Sequence, residues 1–204
     1  MRFPTPMRLS VLALFVGACT LSAPAGAQVK SSPKPRDGFA SAGIWELGGS
    51  ATFSRNTPVV GGNTGDAVYK LSAIPYVGYF LMDGLELGVN PLGVALTSGG
   101  DTTTTELRFL FAPSYNFDLG GRAYPFVEGL AGYTAAITDY PGGGRSTRSG
   151  FSWGGRLGVK FPVTARGLLN VGVQYLVITL DPKGESSRNG VDELSISLGF
   201  AVWL

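Results

Sequence analysis

The chain contains no histidine, and its 204 residues include a single cysteine, Cys19, close to the N-terminus. Without an imidazole, neither a Ser-His-Asp nor a Cys-His catalytic arrangement can be built. One cysteine provides neither an internal disulfide nor a thiolate metal site. These absences exclude the usual hydrolytic and zinc-dependent mechanisms, so we expect a protein that is not an enzyme and that binds no cofactor.

Charge is also scarce. Charged residues make up 15% of the chain, against roughly 25% in ordinary soluble domains. The formal net charge is +2 and no basic cluster occurs, so the sequence predicts no nucleic-acid partner. Mean hydropathy is positive, yet the apolar residues are spread thinly among 31 glycines. This distribution indicates apolar surface that lipid covers, rather than the large buried core of a soluble protein.

A short apolar run near the N-terminus, Leu9–Ala18, follows two arginines and is too short to cross a bilayer as a helix. A sequence of small residues that suits signal peptidase then ends at Ala27. Together these features predict a secretory signal peptide over residues 1–27, cleaved between Ala27 and Gln28.

Cys19 suggests an alternative processing of the N-terminus. Val16–Cys19 is similar to a lipobox, and such processing would place a lipid on Cys19. Residues 28–42 are polar and contain two prolines, so we predict a flexible tether without a fold of its own. Residues 43–204 then form one domain.

From Gly43 onward, apolar and polar residues alternate with a period of two, which predicts β-strands rather than helices. We predict eight strands, at 44–54, 67–81, 85–96, 104–117, 123–138, 150–162, 168–180 and 191–204. The connections 82–84, 118–122 and 163–167 are short, whereas 55–66, 97–103, 139–149 and 181–190 are longer and polar. This alternation of connection lengths is typical of membrane barrels.

The two faces of the predicted strands differ in kind. One face is apolar and is predicted to face lipid through Leu107, Phe109, Phe111, Trp153, Leu157, Val159, Val171, Val173, Leu194, Ile196, Leu198, Phe200 and Val202. The other face is small and charged, and is predicted to fill a narrow lumen with a paired network of Glu46, Lys70, Glu86, Glu106, Arg108, Glu128, Arg156, Lys160 and Glu193. Aromatic residues near the strand ends predict two interfacial girdles, formed by Phe117, Tyr124, Phe126, Phe161 and Trp203 at one end and by Phe53, Tyr69, Tyr133, Phe151 and Trp153 at the other.

An open sheet cannot persist in lipid, because its edges leave backbone groups without partners. The sequence therefore predicts an all-β fold, an eight-stranded antiparallel up-and-down transmembrane β-barrel. At about 11 to 16 residues, the strands are long enough for membrane strands, which need about 9–11.

Stretches such as Tyr124–Tyr133 resemble the central strands of the small eight-stranded outer-membrane β-barrel families, the OmpA-type transmembrane domain and the OmpX-like proteins. The resemblance covers residues 43–204. It implies residence in the bacterial outer membrane, contact with its lipid and lipopolysaccharide, assembly by the barrel-assembly machinery and a monomeric state. The last strand departs from the family pattern, because it ends in Leu204 where members usually end in Phe or Trp.

The leading functional hypothesis is a non-enzymatic outer-membrane barrel with a structural role in the envelope or a surface-interaction role through its outer loops. Outer-membrane enzymes of similar fold rely on a catalytic histidine, which this chain lacks. One alternative is a narrow channel for ions or small apolar solutes. Another is a soluble lipocalin-like ligand carrier, suggested by the Gly-x-Trp sequence at Gly43–Trp45.

Overall fold

The computed structural model describes residues 38–99, 102–140, 144–180 and 189–204. These residues form one closed, all-antiparallel sheet. Its eight barrel strands are β1 (Trp45–Val60), β2 (Val68–Met82), β3 (Leu85–Gly99), β4 (Thr102–Asn116), β5 (Tyr124–Asp139), β6 (Arg145–Pro162), β7 (Gly167–Thr179) and β8 (Gly190–Trp203). The predicted fold class is therefore confirmed.

Each strand pairs with its neighbours in the chain, and β1 pairs with β8 to close the barrel. The closing ladder runs from Glu46 opposite Trp203 to Val59 opposite Gly190. It is extended by reciprocal 3.0 Å backbone hydrogen bonds between Trp45 and Leu204. Closure leaves no free edge along this seam.

The strands are longer than the sequence predicted. Residues predicted as loops at 55–66, 97–103 and 139–149 belong largely to strands, and β6 alone has 18 residues. At roughly 3.4 Å per residue, such a strand is about 60 Å long, more than a bilayer crossing requires. The prediction was wrong here because Thr, Ser and Gly on both faces suggested loops, although backbone pairing continues through them.

The connections contain glycines where the backbone requires positive φ. Gly61 and Gly62 have φ values of 58° and 80° and turn the chain after β1. A brief pairing of Asn63 and Thr64 with the end of β1 follows. Gly84, with φ of 80°, completes the Asp-Gly turn between β2 and β3. These are the dipeptides that tight hairpins favour. In the described residues, no helix is long and apolar enough to cross a membrane.

The N-terminal tether prediction is wrong for its last five residues. Residues 38–42 are packed against the barrel, and the side chains of Phe39 and Ala40 are 3% and 6% exposed. The reason is that an aromatic side chain within a polar segment finds an apolar pocket inside the barrel. Residues 1–37, which include Cys19, Ala27 and Gln28, lie outside the described residues.

The outer face of the barrel is apolar. Eleven of the thirteen residues predicted to face lipid are exposed, and the other two, Leu107 and Val159, are half-buried. The polar side chains lie inside instead, as the strand alternation requires. The inner face therefore carries the groups that could act chemically.

Candidate functional site

The two ends of the barrel differ in their connections. The loop end holds the connections after β1, β3, β5 and β7. The turn end holds the other connections, the segment 38–42 and the C-terminus. Two ionic layers lie inside the barrel between these ends.

The loop-end ionic layer consists of Lys70, Glu106, Arg108 and Glu193. Lys70 Nζ lies 2.9 Å from Glu106 Oε2 and 2.6 Å from Glu193 Oε2. Arg108 binds Glu193 through both terminal nitrogens, at 2.8 and 2.6 Å, and also reaches Glu106 at 2.5 Å. The Asn56 amide lies between Glu193 and Lys70 and can bond to both. A two-pronged arginine bond fixes geometry as well as charge.

The turn-end ionic layer consists of Glu46, Glu86, Glu128, Arg156 and Lys160. Lys160 Nζ is shared between Glu46 Oε2 at 2.5 Å and Glu86 Oε2 at 3.1 Å. Arg156 Nη2 donates to Glu128 Oε2 at 2.8 Å. All five residues are at least nine-tenths buried. Lys160 therefore joins two carboxylates, one from β1 and one from β3.

Glu86 is the most heavily coordinated carboxylate of this layer. Besides Lys160, it accepts hydrogen bonds from Ser114 Oγ at 3.0 Å and Asn116 Nδ2 at 3.1 Å. Gly78 lies beside it on the neighbouring strand β2, and a Cβ at that position would collide with the Glu86 carboxylate. The glycine thus supplies the space in which the buried carboxylate fits.

The two layers differ in charge balance. The loop-end layer pairs two cations with two carboxylates, whereas the turn-end layer holds three carboxylates and two cations. A buried charge without a partner costs several kcal/mol. The turn-end layer is therefore the more sensitive of the two to the loss of a cation.

Apolar side chains, termed the apolar belt, fill part of the space between the two layers. On β4, Leu110 and Ala112 lie between Arg108 of one layer and Ser114 beside the other. Both side chains are fully buried, and they pack with Tyr76, Leu130, Leu176 and Ile178. On the other side of the lumen the inner face is polar, and the buried side chains of Ser54, Ser195 and Gln174 occupy successive paired positions between Lys70 and Arg156.

The turn end is closed by a cluster of aromatic rings. Phe39 meets Phe80 and Tyr124 edge to face, with ring centroids 5.2 and 4.9 Å apart, and its ring centroid is 5.7 Å from that of Trp203. Lys160 Nζ lies 5.1 Å from the Phe39 ring centroid, within cation–π range. The cluster therefore lies directly against the turn-end ionic layer.

A cavity of about 250 Å³ opens at the loop end. Its lining combines the Glu106 carboxylate of the loop-end layer with the guanidinium-bearing Arg148, the aromatic Tyr140 and several apolar residues. In the described residues, no group of three or more His, Cys, Asp or Glu side chains could hold a metal ion.

All nine residues predicted for the lumen network are buried in the structure, namely Glu46, Lys70, Glu86, Glu106, Arg108, Glu128, Arg156, Lys160 and Glu193. The structure divides them into two separate layers, which the sequence did not indicate. The ion-pair partners named above also come from different strands, except for Glu106 and Arg108 on β4.

Part of the predicted girdle at the turn end is wrong. Tyr124, Phe126 and Trp203 are buried inside the barrel, at 4%, 4% and 9% exposure. Strand parity explains this, because Tyr124 and Phe126 share the face of Glu128 on β5. Phe117 and Phe161 do lie on the outer surface, as do all five aromatic residues predicted for the other girdle. Phe39 was missed altogether, since a five-residue segment shows no periodicity.

No protein-family model matches the sequence, and no curated protein matches it either. Solved structures do match. Neisserial surface protein A is 17% identical, and the match covers 78% of this chain and 98% of that one with a TM-score of 0.63. Ail, the attachment invasion locus protein of Yersinia pestis, is 14% identical, with 80% and 99% coverage and a TM-score of 0.51. The chain therefore has the fold of the small eight-stranded outer-membrane β-barrels.

Proposed function

We propose that the protein is a closed, non-enzymatic β-barrel of the bacterial outer membrane that acts at its loop end, in envelope integrity or in contact with another surface. Residues 1–27 would direct its export. The observation that carries the proposal is the filled lumen, whose space is occupied by an aromatic cluster, two ionic layers and the apolar belt.

The filled lumen disfavours the narrow-channel alternative. The interior of an eight-stranded barrel is only wide enough for its own side chains. Here the ionic side chains bind one another, and the apolar belt fills part of the space between them. A barrel of this kind exposes its outer wall and its rim to the surroundings, whereas its lumen is filled by side chains.

The distribution of apolar residues supports a lipid environment. Large apolar side chains such as Phe109, Leu198 and Phe200 are at least half exposed on the outer wall. A soluble protein rarely leaves so much contiguous apolar surface in water. A lipocalin-like carrier would place these residues inside, around its ligand, where this barrel has ion pairs. Lipid and the acyl chains of lipopolysaccharide are accordingly the proposed contacts of this wall, with a monomer as the proposed state.

The loop end offers mixed charge for surface interaction. Arg55 and Arg148 are exposed there, and Arg145 pairs with Asp139 at 2.8 Å on the rim. Exposed guanidinium groups suit the phosphates of lipopolysaccharide or acidic groups on a partner. Attachment is the role named for the similar barrel of Yersinia pestis, and it is one form that such contact could take.

Planar-bilayer recordings test the closed-barrel proposal. The purified, heat-modifiable barrel should leave the bilayer silent, while an established porin inserted in the same way should conduct. Steady unitary openings of this barrel would overturn the proposal in favour of a channel. Cell fractionation tests the location separately, since recovery in the soluble periplasm would contradict the membrane assignment.

A further inference from the structure

We propose that residues 38–42 form a plug, in which Phe39 occupies a built aromatic pocket at the turn end and seals the turn-end ionic layer from water. The pocket is the space enclosed by Phe80, Tyr124, Leu168 and Trp203. Such a plug would close the barrel whichever membrane or surface the protein serves.

The pocket surrounds Phe39 from several strands. Phe80 comes from β2, Tyr124 from β5, Leu168 from β7 and Trp203 from β8. Two of the rings meet Phe39 edge to face, which is a favoured aromatic geometry. Leu168 is fully buried beneath the cluster. A side chain held from four strands across the barrel occupies the opening instead of lying beside it.

The backbone of the segment is fixed in the docked position. The Gly84 N–H donates to the Ala40 carbonyl at 2.8 Å, and the Ala42 N–H donates to Asp83 Oδ1 at 2.9 Å. The Gly43 N–H donates to the Phe80 carbonyl at 2.8 Å. These three bonds tie the segment to the end of β2 and the turn that follows it.

Ala40 has a φ of 68°, in the left-handed region that side chains other than glycine seldom occupy. Such a conformation persists only where surrounding contacts impose it. The docked Phe39 and the hydrogen bonds to the β2–β3 turn are the contacts that impose it here. A segment bound to the barrel can keep this strained backbone conformation, whereas a loose tether would return Ala40 to a negative φ.

The plug lies against the charges that most need shielding. Lys160 Nζ is within 5.1 to 5.6 Å of the ring centroids of Phe39, Tyr76 and Phe126, while it also binds two carboxylates. Removing the Phe39 ring would open this ammonium group and its carboxylates to water at the turn end.

Thiol labelling tests the seal. Ser114, beside Glu86, is replaced with cysteine in a Cys19→Ser background, and the folded barrel in micelles is treated with a small charged methanethiosulfonate reagent. Phe39→Ala should raise the labelling rate of this cysteine at least about ten-fold, because the local opening that exposes it becomes easier. A cysteine at Thr134, which lies on the loop-end side of Leu130 along β5, should show no such increase.

Phe161→Ala is the matched control, because it removes an exposed ring from the outer wall at the same end. Equal labelling rates with and without Phe39, or an equal increase with Phe161→Ala, would overturn the plug. If Phe39→Ala does not fold, quenching of tryptophan fluorescence by acrylamide tests the seal in a barrel that keeps Phe39. With Trp203 as the sole tryptophan and Phe39 intact, we expect slow quenching; quenching as fast as that of exposed Trp45 would refute the seal.

Discussion

Replacing Lys160 with methionine is expected to destabilise the barrel by about 3–5 kcal/mol, the usual cost of removing one partner of a buried ion pair. Methionine keeps most of the apolar stem, so the lost group is essentially the ammonium. Its loss leaves Glu46 and Glu86 facing each other with no shared cation, in a layer that already has one carboxylate in excess. The unfolding constant should rise by roughly two to four orders of magnitude.

Urea titration of the barrel in lipid vesicles measures this change in unfolding free energy. The folded fraction at each urea concentration is read from the difference in electrophoretic mobility between unheated and heated samples. Arg145→Met is the matched control, since Arg145 also forms an ion pair, with Asp139, but both partners are well exposed. Exposed pairs contribute little to stability, so this variant should unfold like the parent. Adding Glu46→Gln to Lys160→Met should recover part of the loss. If the urea midpoint of Lys160→Met is the same as that of Arg145→Met, the buried ammonium group does not stabilise the barrel and the prediction is wrong.

Two further predictions concern the wall and the lumen space. Leu198→Arg on the outer wall should cost about 2–4 kcal/mol in vesicles if it lies at mid-bilayer depth, whereas Leu119→Arg in a turn should cost at most about 1 kcal/mol; equal urea midpoints would contradict the lipid assignment. Gly78→Ala should cost about 1–3 kcal/mol, because its methyl displaces the Glu86 carboxylate. Gly129→Ala, whose Cβ meets little, should leave the midpoint unchanged.

The sequence predicted on which face of the barrel wall each charged residue of the lumen network lies. This prediction needs only the alternation of neighbouring residues along one strand. Successive residues in a strand point to opposite faces, so the parity of Glu106 and Arg108 relative to Phe109 is sufficient. The eight strands themselves follow from the same alternation. These features need no knowledge of which strands are neighbours.

Pairing could not be predicted in this way. Lys160 and Glu46 are 114 positions apart, and they meet only because closure brings β1 and β6 to face each other across one lumen. The ends of the strands could not be predicted either. The consecutive Thr residues that begin β4 show no alternation of apolar and polar residues. The burial of Phe39 could not be predicted, because the residues that it contacts come from four strands that are distant in the sequence.

The composition of the loop-end ionic layer also constrains the order in which the barrel can form. Lys70 is on β2, Glu106 and Arg108 are on β4, and Glu193 is on the last strand. Until β8 reaches β1, Lys70 and Arg108 together face only one of their two carboxylates. An incomplete barrel therefore holds an uncompensated positive charge in its interior. Closure of the sheet and neutralisation of the interior charge therefore occur together. Intermediates in which only some strands are paired have a high free energy, so folding is cooperative.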